Sequence, residues 1–151
     1  MKTKIPPPIV ALIGIILIYF SRNYFDFFYL HPHLQNTLSI LFLISGILTV
    51  FLATREFKKK ETTVNPMKPK ESTSLVVSGV FQYTRNPMYL GLAFILLASC
   101  FYFNSFFGII IYIPLFIFYI TIFQIFPEEE AMKELFKDKY IDYCSNVRRW
   151  L

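Results

Sequence analysis

Apolar positions along this chain arrive in blocks. The first runs from Ile9 to Phe20 and extends through Tyr24-Phe25 and Phe27-Phe28-Tyr29-Leu30. The second runs from Leu38 to Ala53, the third from Met88 to Phe103, and the fourth from Phe106 to Phe126. A membrane span needs roughly 20 mainly apolar residues to cross about 30 Å of hydrocarbon. The blocks predict an all-α integral membrane bundle of about four transmembrane helices, over 9–30, 38–53, 88–103 and 106–126, in one domain covering 1–151. His31-Pro32-His33 is expected to form a short loop between the first two. Thr54 to Ser74 is polar, and Pro66 and Pro69 oppose a continuous helix, so 54–87 reads as a loop. Only Asn104-Ser105 separates the last two blocks, which implies a tight antiparallel hairpin. In the polar tail, 127–151, Met132, Leu135, Phe136, Tyr140, Tyr143 and Val147 fall near one face. That periodicity predicts an amphipathic helix lying on the membrane or the bundle. Ser45-Gly46 supplies small residues for close helix approach.

Composition agrees with the blocks. Hydrophobic residues make up 55% and charged residues 17% of the chain, too apolar for the surface of a soluble domain this size. The net charge of +5 does not point to nucleic acid, because the basic residues flank apolar blocks. Anionic lipid headgroups are the simpler partner. With four spans, the N-terminal segment, the middle loop and the tail share one side. Fourteen of the 15 Lys and Arg residues lie there, with Arg22 the exception. The positive-inside bias then puts both termini in the cytoplasm, with a bacterial inner membrane the natural location. Lys2 and Lys4 precede the first block, yet no small-x-small cleavage pattern follows, so the segment reads as a retained helix. Arg22 and Asp26, four apart, could pair at the interface or snorkel separately. Cys100 and Cys144 read as free thiols, His31 and His33 as solvated, and no Cys/His spacing suits a metal.

Two polar clusters interrupt the apolar sequence. Ser78-Gly79-Val80-Phe81-Gln82-Tyr83-Thr84-Arg85-Asn86-Pro87-Met88-Tyr89-Leu90-Gly91 leads into the third block, and Pro127-Glu128-Glu129-Glu130 leaves the fourth. Each alone could be an ordinary helix start, with Pro in the first turn and acids near the positive dipole end. A hairpin of the last two spans, however, brings Arg85, Asn86 and Tyr89 beside Glu128 and Glu129. A carboxylate pair beside an Arg and a Tyr suits a charged small molecule that carries an aromatic ring.

These residues resemble the isoprenylcysteine carboxyl methyltransferase and phospholipid methyltransferase superfamily, particularly its short bacterial members. The matching elements are Ser78-Gly79-Val80-Phe81, then Arg85-Asn86-Pro87-Met88-Tyr89-Leu90-Gly91, then Glu128-Glu129. Phe136-Lys137-Asp138-Lys139-Tyr140-Ile141-Asp142-Tyr143 and Val147-Arg148-Arg149-Trp150 follow, so the likeness covers roughly residues 73 to 151. The resemblance implies S-adenosylmethionine as cofactor, in a cytosol-facing pocket. It implies cofactor-binding roles for Leu75, Val76, Phe81, Asn86, Pro87, Met88, Tyr89, Glu128 and Glu129, with Glu128 the leading carboxylate and Glu129 its companion. Arg85 would orient substrate or a cofactor carboxylate at the catalytic centre, and Gln124 would contact substrate. Carboxylates suit a donor that carries a sulfonium and an ammonium. Asn86 stands where the family usually has His, and it can hydrogen-bond but cannot carry a proton. Gln124 stands where prenylcysteine methyltransferases place an Arg against the substrate carboxylate, and Lys137 stands at a family Gly. The expected acceptor is a lipid or another hydrophobic small molecule, reached from within the membrane. Two other readings stay open: a membrane reductase of sterol-reductase type using a nicotinamide cofactor, and a non-catalytic scaffold that keeps the fold.

Overall fold

The computed structural model describes residues 5–25, 29–60 and 73–151. Asp26, and with it the suggested pair to Arg22, lies outside the described residues, as do Pro66, Lys68, Pro69 and Lys70 of the middle loop. The described residues form an all-helical structure without strands. Helix α1 spans Pro7–Phe25, α2 Pro32–Lys59, α3 Pro87–Tyr102, α4 Gly108–Phe136 and α5 Asp138–Asn146, with a 3-10 turn at Gly79–Gln82. Helices α2 and α4 are long and apolar enough to cross a membrane, whereas α1 and α3 are shorter apolar helices. On α2 the side chains of Ile40, Leu41, Ile44, Ile47, Leu48 and Phe51 are all exposed, an apolar belt that water would penalise and lipid would not.

Boundaries differ from the sequence reading at several ends. Helix α1 begins at Pro7, and Tyr29 and Leu30 of the expected first span are not helical. Pro32 opens α2, so Pro32 and His33 are helical. A proline suits a first turn, where its missing N–H has no partner to lose. At its other end α2 continues to Lys59, six residues into the expected loop. The tail helix also does not begin at Pro127. Helix α4 runs through both Pro114 and Pro127, and each follows a short π-helical stretch, Gly108–Tyr112 and Thr121–Ile125. A proline in ordinary α-helix loses the bond to residue i−4 and its ring strikes that carbonyl. A preceding wide turn already shifts the bonding register, so the ring is accommodated. The break falls instead at Lys137, whose φ of +47° separates α4 from α5. The expected single amphipathic face is therefore split, with Tyr140 buried and Leu135 exposed.

Glycine sets the closest crossing. A Cβ on Gly91 would lie 2.6 Å from Val50 Cγ2 and 2.8 Å from the Gly46 carbonyl oxygen, and one on Gly46 would lie 2.7 Å from the Gly91 carbonyl. Helices α2 and α3 thus meet backbone to backbone, as small residues permit. Ser39 ties the same pair further along, donating to the Ala98 carbonyl at 3.1 Å. On the opposite face of α3, Leu96 and Cys100 join Ala11 and Ile18 of α1 and Phe116, Ile120 and Ile125 of α4 in the main core.

The α3–α4 connection is as short as its sequence implies. Asn104 takes φ +53°, a left-handed conformation that asparagine tolerates. Ser105 caps the next helix by accepting the Gly108 N–H at 3.1 Å. Asn104 Oδ1 also accepts the Leu30 N–H, and the Arg22 guanidinium stacks 4.2 Å from the Tyr19 ring centroid.

Candidate active site

Because α3 and α4 form a hairpin, the start of α3 lies beside the last turns of α4. The Tyr89 hydroxyl donates to Glu128 Oε1, and Arg85 Nη2 lies 3.1 Å from Glu129 Oε1. A cavity of about 260 Å³ opens between them. One wall carries Arg85, Asn86, Pro87, Met88 and Tyr89, and the facing wall carries Glu128 and Glu129. Leu75, Val76 and Phe81 close a third side. The cavity therefore gathers Arg85 and all nine residues expected to bind cofactor.

The two carboxylates have different partners. Glu129 accepts two hydrogen bonds from one guanidinium, Arg149 Nε at 2.9 Å and Nη2 at 2.8 Å, in addition to its contact with Arg85. The bond to Glu129 holds the Arg149 guanidinium above its ordinary pKa. Among the described residues no cation pairs with Glu128, which has a phenol instead. Arg85 keeps unused capacity as well: its Nε is buried without a hydrogen-bond partner among the described residues. Among the described residues, a carboxyl group without a cation partner and a cationic donor thus remain available in one enclosure.

The segment after α5 completes the site. Its Arg149 carbonyl accepts from Asn86 Nδ2 at 2.9 Å and from Thr84 Oγ1 at 3.2 Å, and the Arg148 carbonyl accepts the Arg85 N–H at 3.0 Å. The Asn86 side chain is therefore a structural donor to this segment. Helix α5 contributes Tyr140 and Tyr143 to the cavity, and Tyr143 donates to the Phe81 carbonyl at 2.6 Å. Burial pushes both phenols above their ordinary range, so each stays a neutral donor.

Gln124 is placed differently from the other candidates. It is fully buried and does not line the cavity; its Nε2 donates to the Ile5 carbonyl at 2.7 Å and its Oε1 has no partner among the described residues. Its partner Ile5 lies just before Pro7 and Pro8, which do line the cavity. Val50, Phe57, Leu92 and Met132 also reach it and were not singled out from sequence. Val50 and Leu92 sit inside apolar blocks, Phe57 in the polar middle stretch and Met132 on the apolar face of the tail, and none of these positions carries a site signal of its own. Arg149 was visible only as part of a basic ending, and its bidentate carboxylate partner is a tertiary feature.

A sequence model described as phospholipid methyltransferase matches residues 34–139, more than half of the chain. It takes in α2, which the motif likeness had not reached. No curated protein and no solved structure matches the chain.

Proposed function

The chain belongs to the phospholipid methyltransferase family, and on that premise we propose that it transfers a methyl group from S-adenosylmethionine to a membrane-embedded or amphiphilic small molecule. The observation that carries this reading is Glu128, a carboxyl group at the cavity wall with no cation paired to it among the described residues. The donor molecule has an ammonium, a sulfonium, a carboxylate and an adenine. Glu128 suits the cationic portion and the unpartnered Nε of Arg85 suits the carboxylate. Phe81 and Tyr143, with Leu75 and Val76, offer an apolar and aromatic slot for the base.

When bound, S-adenosylmethionine supplies a methyl group already activated on sulfur. No covalent enzyme intermediate is needed, so the chain's own work is alignment and exclusion of water. Arg85 acts as an orienting cation; a guanidinium does not serve as a base at neutral pH. In this reading all four apolar helices cross the membrane, both termini face the cytoplasm, and the cavity opens to the cytosol. The acceptor arrives from the bilayer past Val50 and Leu92, with Gln124 fixing the Ile5–Pro8 wall.

Calorimetric titration of purified protein with S-adenosylmethionine tests the site. Replacing Glu128 by Gln removes a charge-assisted contact worth about 1.5–3 kcal/mol and is expected to weaken binding at least about tenfold. Tyr89→Ala is expected to weaken it too. Full affinity in both variants refutes the assignment. Incubation with labelled methyl donor and host membranes then identifies the acceptor.

A further inference from the structure

Glu56, near the end of α2, does not line the cavity and belongs to none of the motifs described above. It is nevertheless buried, with 8% of its surface exposed. Its Oε2 accepts the Ser78 hydroxyl at 2.6 Å and its Oε1 accepts Lys59 Nζ at 2.5 Å. The turn that follows lies directly on this carboxylate. Gly79 has φ +62°, and a Cβ there would sit 2.9 Å from Glu56 Cγ and Cδ. One residue along α2, the Phe57 ring meets Phe81 edge-on at 5.2 Å. Ala53, Val76 and Phe81 complete a small core that is separate from the main one.

Burying a carboxylate is costly unless its hydrogen bonds are satisfied. Here two donors satisfy it, and one of them is the residue that begins the cavity turn. We infer that Glu56 is a positioning residue: it clamps the Ser78–Phe81 turn against α2 and so sets the Phe81 wall for the methyl donor. The inference rests on the methyltransferase reading above. It adds that the membrane helix α2, through one side chain, tunes cofactor affinity without touching cofactor.

The test uses full-length protein in detergent, with S-adenosylmethionine affinity measured by calorimetry and backbone hydrogen exchange followed over residues 79–83. Glu56→Ala is expected to speed exchange in the turn and to weaken binding about tenfold, the loss expected for one charged hydrogen bond. Ser78→Ala removes the same bond from the other side and leaves the Glu56–Lys59 pair, so it keeps the test alive if the first variant misfolds. It is expected to reproduce both effects. Glu56→Gln retains an acceptor for the Ser78 hydroxyl and is expected to bind within about twofold of the parent. Unchanged affinity in both Glu56→Ala and Ser78→Ala overturns the inference. So does a Gln variant as weak as the Ala variant, because the Lys59 pair would then be the operative contact. If the parent protein itself binds no S-adenosylmethionine, the methyltransferase reading falls, and the exchange measurement still decides whether Glu56 holds the turn.

Discussion

Replacing Glu129 by Gln puts the carboxylate between Arg85 and Arg149 to a quantitative test. The parent cluster is two guanidinium groups around one carboxylate, a net charge of +1, with Glu129 8% exposed. Glutamine keeps the shape but leaves two cations with nothing between them. Breaking a buried ion pair by neutralising one partner costs about 3–5 kcal/mol. The Arg149 side chain is 36% exposed, so its share is screened and worth about 1 kcal/mol. The Arg85 side chain is only 11% exposed, so it carries most of the loss. The expected cost of Glu129→Gln is therefore about 3 kcal/mol. Arg149→Ala, which keeps the backbone carbonyl that Asn86 and Thr84 use, should cost about 1–2 kcal/mol. That figure includes the stacking of its guanidinium 4.9 Å from the Phe126 ring centroid. Equilibrium unfolding in mixed detergent micelles reads both. Trp150, the chain's single tryptophan, reports locally because its indole N–H donates to Thr121. If Glu129→Gln proves no more destabilising than Arg149→Ala, the carboxylate is not the centre of a buried charge cluster and the argument fails.

Two further outcomes follow from the backbone. Gly91→Ala forces a methyl group against the Gly46 carbonyl and Val50, which only a separation of α2 from α3 relieves; a loss of about 1–3 kcal/mol is expected in the same unfolding assay. Lys137→Gly relieves a left-handed conformation that costs about 1–3 kcal/mol for a residue with a side chain, against about 1 kcal/mol of added unfolded-state entropy. A net gain of about 1 kcal/mol is expected, and a destabilised variant would show that the Lys137 side chain makes a contact that outweighs the strain.

The hairpin was legible because only Asn104-Ser105 separates two apolar blocks, and antiparallel packing then fixes which polar ends meet. From that step Arg85 and Tyr89 could be set against the glutamates without any structure. The family likeness already ranked Glu128 ahead of Glu129 as the cofactor carboxylate, but no local feature of the sequence gives the partner that sets them apart. Adjacent acids look alike until a third element, here the segment carrying Arg149, claims one of them. The 106–126 block already carried the helix across Pro114, but its continuation through Pro127 was hidden for a related reason. Proline is read as a helix boundary, and the wide turns that let the helix continue depend on packing across the whole bundle. Pro7 and Pro8 were invisible as cavity residues because nothing local links them to candidate site residues that begin only at Leu75. Glu56 lies at the edge of a basic run, and nothing local marks its partner Ser78, across the intervening loop.

The walls of the cavity come from Pro7–Pro8, from α2, from the turn before α3, from the end of α4 and from α5. No single hairpin contains it, so it exists only once the whole chain has assembled, and occupancy becomes a brace across otherwise separate parts. A donor present at a hundred times its dissociation constant would add about 2.7 kcal/mol to the folded state. Preparations stripped of nucleotide during purification should accordingly be the fragile ones, and including it in the extraction buffer is a practical route to a durable sample.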